Sequence, residues 1–117
     1  MKGRAVIVGL VLALAGACGD GAGAAKSTDG SRLFVNQACA TCHGMDGAGS
    51  QLGPPLRGKK QFWTKEKLVR YLKDPIGSAE KDPRLGELSK KYMLPMARFD
   101  KLTEEELGQI ADFVLAM

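Results

Sequence analysis

Cys39-Ala40-Thr41-Cys42-His43 places two thiols around a two-residue gap, with an imidazole directly after the second. Thiols at this spacing add across the vinyl groups of a haem and form thioether bonds; the adjoining imidazole then ligates the iron from one side. A structural zinc site wants four ligands, and no second Cys or His pair follows downstream. A thioredoxin-like redox pair sits in a βαβ pattern, and no stretch of this chain alternates convincingly as a strand. The residues therefore point to covalent haem. His43 is also the only histidine. The iron's sixth position is left to methionine, to another weaker donor such as lysine, or to nothing.

The elements that must position this motif read as helices. Asp29-Gly30-Ser31 offers caps for a first helix, with Leu33, Phe34 and Ala38 spaced to share one face. Gly44 to Gly53 is loop, rich in glycine and poor in apolar groups, with Asp46-Gly47 as a turn signal. Pro54-Pro55-Leu56-Arg57-Gly58 continues irregularly. A second helix begins near Thr64, carries Leu68, Tyr71 and Leu72 at helical spacing, and stops at Asp74-Pro75. Asp82-Pro83 opens a shorter helix through Leu85, Leu88 and Tyr92. Thr103 to Glu106 forms a capping box, and Leu102 and Leu107 are placed for a hydrophobic staple. Leu107, Ile110, Ala111 and Val114 then make an apolar stripe. The fold class expected is all-α, with about four helices wrapped round one haem.

The start of the chain carries an address. Met1-Lys2-Gly3-Arg4 is cationic, residues 5–14 are an apolar run too short to span a bilayer, and Ala15-Gly16-Ala17 are small. Residues 1–17 read as a secretory signal peptide, which agrees with haem attachment in an oxidising cell-envelope compartment. Of three cysteines, two belong to the haem motif, leaving Cys18 unpaired in an exported protein. Residues 14–18 resemble a bacterial lipoprotein cleavage box, in which the cysteine becomes the lipidated first residue. Ala15 stands where that box prefers leucine. Ordinary cleavage after Ala17, leaving a free thiol, is the other reading; lipidation is preferred because an exposed thiol is a liability there. Residues 18–29 have almost no large apolar side chain and read as a flexible tether, on the order of 20 Å end to end as a random coil. A disordered mature terminus is the plainer version of the same reading.

Residues 30–117 remain to fold as one small domain. A domain of this size buries only about 60–65% of its unfolded surface, so a large apolar cofactor would supply much of the core. The formal charge is +4. The seventeen basic residues less Lys2 and Arg4 leave fifteen against thirteen acidic, a balance of +2. Basic residues alternate with acids as on a solvated surface, and nucleic-acid binding finds no support.

From Gly30 to Met117 the sequence resembles the class I cytochromes c, small all-α electron carriers with a single haem. In that family a first-helix glycine and an aromatic four residues on cross the last helix, where another aromatic meets them; Gly30, Phe34 and Phe113 are in register for this. Gly53-Pro54-Pro55-Leu56 stands where the family has Gly-Pro-x-Leu. The resemblance implies that the Pro54 carbonyl accepts a hydrogen bond from the ligand histidine, orienting His43 and making it a stronger donor. Trp63 resembles an aromatic that reaches a haem propionate; packing against the following helix is the alternative. The family's Met-Pro-x-Phe is matched by Met96-Ala97-Arg98-Phe99, with alanine in place of proline. Met96 is thus the first candidate for the sixth ligand and Met93 its competitor, unless Met93, at a helix end, simply packs in the core. Met45 looks unsuited and Met117 is the chain end. The cofactor-binding set is Cys39, Cys42, His43, Pro54, Leu56, Trp63 and Met96, with His43 and Met96 on the metal.

Iron held by histidine and methionine offers substrate no open position, and thioether sulfur favours the reduced state. That describes a one-electron carrier rather than an enzyme. Its partners would be redox proteins of a respiratory chain, on the periplasmic side of the envelope, with the membrane reached through a lipid on Cys18. Lysines 59, 60, 65, 67, 90 and 91 could steer an acidic partner or serve only as solubility charges. The competing class, a sensor of small ligands or a peroxidase-like enzyme, needs an open sixth site; a peroxidase also needs a distal acid–base group, and no second histidine is available for it.

Overall fold

A computed structural model of the protein describes residues 25–117, with side chains from Asp29 onward. The expected signal peptide, Cys18 and the expected tether as far as residue 24 lie outside the described residues. Six α-helices and one 3-10 turn follow in order: α1 (Ala25–Asn36), α2 (Cys39–His43), a 3-10 turn at Lys59–Gln61, α3 (Lys65–Lys73), α4 (Pro75–Lys81), α5 (Pro83–Lys91) and α6 (Glu104–Leu115). Among the described residues there is no strand, and no helix is long and apolar enough to cross a membrane.

The core is the crossing of α1, α3 and α6. Phe34, Leu107 and Ile110 are its fully buried large side chains, each contributing about 1.5–3 kcal/mol by leaving water. Val69, Leu72, Ala111 and Val114 complete it together with Cys39. Phe34 of α1 meets Phe113 of α6 with ring centroids 5.3 Å apart at 59°, within the tilted geometry aromatic pairs prefer. Gly30 lies beside this pair, where the α6 backbone at Gln109 comes too close to leave room for a β-carbon. The capping box of α6 is formed in full. Thr103 N–H donates to Glu106 Oε2 at 2.8 Å, and Glu106 N–H donates to Thr103 Oγ1 at 3.1 Å. Thr64 caps α3 by accepting from Lys67 N–H at 3.2 Å, and Lys65 on α3 pairs with Asp112 on α6 at 2.6 Å.

Three elements depart from the sequence expectation. First, α1 begins upstream of Asp29-Gly30-Ser31, which lie inside the helix. Asp29 pairs instead with Arg32 one turn on, a spacing that supports a helix surface, and Gly30 is needed for packing on α6. Second, six helices stand where about four were expected. Asp74-Pro75 does stop α3, but it also starts α4: Asp74 accepts from Gly77 N–H at 3.2 Å and Pro75 takes the first-turn position. The motif itself forms the short α2. Third, α5 sends no residue into the core. It rests on α4, with Leu88 40% exposed.

Ala38 marks the break between α1 and α2. Its φ of 60° makes it the one non-glycine residue in the left-handed region among those described. A β-carbon there costs on the order of 1 kcal/mol. Ala38→Gly is therefore expected to raise the unfolding free energy by about 0.5–1 kcal/mol, read from thermal melts of the haem-bound protein. An unchanged or lower midpoint would contradict this.

Candidate haem site

The site is assembled by α2 and the loop that follows it. His43 closes α2 and is only 6% exposed. Its Nδ1–H donates to the Pro54 carbonyl at 2.8 Å. A carbonyl only accepts, so the proton sits on Nδ1 and Nε2 keeps its lone pair. The ring is thus fixed in the tautomer that presents Nε2 to a metal.

The loop is pinned so that Pro54 can do this. Gly49 N–H donates to the His43 carbonyl at 2.8 Å, and Leu56 N–H to the Gly47 carbonyl at 2.8 Å. Ser50 Oγ donates to the Cys42 carbonyl at 2.7 Å. Arg57 reaches across the loop to Asp46, bonding its carbonyl at 2.9 Å and its carboxylate at 2.7 Å. Gly49 has φ +82°, and a β-carbon there would stand 2.7 Å from Pro55 N. Only glycine accepts both conditions. Leu56 is half-buried and packs on the core, so the loop ends anchored.

Cys39 is buried and Cys42 half-buried, and neither is in a disulfide. Burial pushes the Cys39 thiol up to about 11; its backbone hydrogen bond works against this and the neighbouring Cys42 adds to it. Two cysteines outside any disulfide, followed directly by an imidazole fixed with Nε2 as its base, form the donor set that covalent haem requires.

The methionines separate clearly. Met96 is half-buried and packs against the core cluster. Met93 is 96% exposed, so its expected alternative of packing in the core does not occur. Met45 is also exposed, and Met117 packs on the core with its sulfur beside Gly47. Trp63 lies half-buried against α3, edge-on to Tyr71 at 5.3 Å and 67°, with Lys67 Nζ 5.1 Å from its ring centre. Its indole is thus engaged by the following helix.

Residues 27–117 match the family model of cytochrome c. The chain belongs to the cytochrome c family. Members of that family bind haem covalently, and this protein carries haem c on Cys39 and Cys42, with His43 following in the expected spacing. Among curated relatives it is similar to the Cbb3-type cytochrome c oxidase subunit CcoP of Azospirillum brasilense, 28% identical over 90 residues. The corresponding subunit of another Azospirillum strain matches to the same degree. The match covers 75% of this chain and 30% of each relative, so the chain spans about a third of their length. No solved structure matches.

Proposed function

We propose that the protein is a one-electron carrier in a cell-envelope electron-transfer chain, with the haem iron held between His43 Nε2 and Met96 Sδ. Electron transfer through haem c is the family's chemistry; the axial pair and the compartment are this reading's own. When bound, the haem supplies a couple that accepts and gives up one electron. His43 holds its ring in one orientation through Pro54, so its bond need not reorganise between oxidation states. Met96 occupies the remaining position and keeps water and small ligands away. The single observation that carries the reading is the contrast between the two candidate methionines: Met96 is tucked against the core and Met93 points into solvent.

The ferric absorption spectrum of Met96→Ala and Met93→Ala tests this. The sulfur-to-iron band is expected to vanish in Met96→Ala and to persist in Met93→Ala. The reverse pattern would move the ligand to Met93.

Similarity to subunits named as cytochrome c oxidase components supports redox proteins of a respiratory chain as partners, and the leader-like start of the sequence argues for the periplasmic side of the envelope as the place of work. Of the lysines that could steer such a partner, Lys65 is committed to Asp112 and Lys67 lies over Trp63. Lys91 lies over Tyr92, so Lys60 and Lys90, both exposed, carry the steering role in this reading. Attachment through a lipidated Cys18 completes it. Cys18→Ala is expected to shift the protein from the membrane pellet to the soluble fraction, and a variant that still pellets would remove the anchor.

A further inference from the structure

Met96 belongs to a segment with no regular structure between α5 and α6, and something must hold it. On its N-terminal side little does. Met93 and Leu94 are exposed, Pro95 has no N–H, and among the described residues no hydrogen bond holds residues 93–97. On the C-terminal side two bonds tie the segment to one corner of the fold. Phe99 N–H donates to the Leu72 carbonyl at 2.9 Å, and Arg98 Nη2 donates to Asp74 Oδ1 at 2.9 Å. Both acceptors lie at the end of α3, where the chain turns into α4.

Asp74 is already fixed at this corner, because the same Oδ1 accepts from Gly77 N–H as the cap of α4. Pairing with Arg98 therefore restricts one flexible side chain, not two. This is the condition under which a half-exposed ion pair contributes measurably.

We infer that Asp74 and Arg98 are positioning residues for the sixth ligand: together they form a bracket that slows release of Met96 from the iron. The inference rests on the reading of Met96 as that ligand. The residue two positions after the ligand is clamped to the helix corner, so excursions of the thioether require the clamp to open or the preceding segment to absorb the motion.

The test uses the haem-bound ferric protein with cyanide as the competing ligand. The rate of cyanide binding is compared in wild type, Arg98→Gln, Asp74→Ser, the double variant and Met96→Ala. Serine keeps the cap of α4 and removes the carboxylate. Each single variant is expected to bind cyanide about three- to five-fold faster, the scale set by a partly exposed pair. The double variant should be no faster than either single, since both remove the same bond. Arg98→Lys should restore part of the slow rate, and thermal midpoints should move little. Unchanged rates in both singles, or effects that multiply in the double, would overturn the bracket. If Met96→Ala opens the iron while the bracket variants do not, the bracket alone fails. If Met96→Ala behaves as wild type, the ligand reading fails and takes the bracket with it.

Discussion

Gly30→Ala is expected to destabilise the haem-bound protein by about 2–3 kcal/mol, lowering its thermal midpoint by roughly 10–20 °C. A β-carbon at this position would stand 2.5 Å from the Gln109 carbonyl oxygen and 2.9 Å from Phe113 Cβ. The first of these is backbone of α6, which cannot swing aside, so the helices must separate and loosen the Phe34–Phe113 contact. Alanine's better helix propensity returns only about 1 kcal/mol. Gly108→Ala is the informative contrast. There the new carbon meets Lys65 Cε at 3.0 Å, the far end of a flexible side chain. Propensity then decides the sign, and the variant is expected to be neutral or slightly stabilised. Equal effects at Gly30 and Gly108 would mean that the α1–α6 crossing is not as close as described.

The double variant Cys39→Ser, Cys42→Ser is expected to lose covalent haem and, with it, most of its helical far-UV circular dichroism. Among the described residues the apolar core holds eight buried residues, one of them Cys39 itself. The longest described helices have twelve residues, and isolated helices of that length are marginal in water. Neither local propensity nor this core suffices without the large apolar group packed beside it. A native-like helical spectrum in the variant would show that the protein part folds alone.

The features legible in the sequence share a physical character. Cys39, Cys42 and His43 act through a local spacing, and the Thr103–Glu106 box closes within one turn. The meeting of Phe34 with Phe113 and the Pro54 carbonyl facing His43 followed from the resemblance in register, since no local rule joins residues so far apart. Most of what stayed hidden depends on tertiary position. Asp74-Pro75 carries the same local signal as Asp82-Pro83, a cap followed by a first-turn proline, and was read only as a stop; the bond from Asp74 to Arg98, by contrast, requires the chain to return to that corner. Asp46 and Arg57 likewise meet only because the loop folds back on itself. Leu88 fitted a helical stripe and nonetheless stays outside the core, 40% exposed, because periodicity says which face is apolar and not whether another element covers it.

The most direct test of the central claim is the absorption spectrum of the purified ferric protein before and after cyanide or imidazole is added. A carrier closed by His43 and Met96 gives a low-spin spectrum with the sulfur-to-iron band, and reacts slowly with either ligand. A high-spin spectrum, or immediate ligand binding, would mean an open iron and would replace electron carriage with sensing or catalysis.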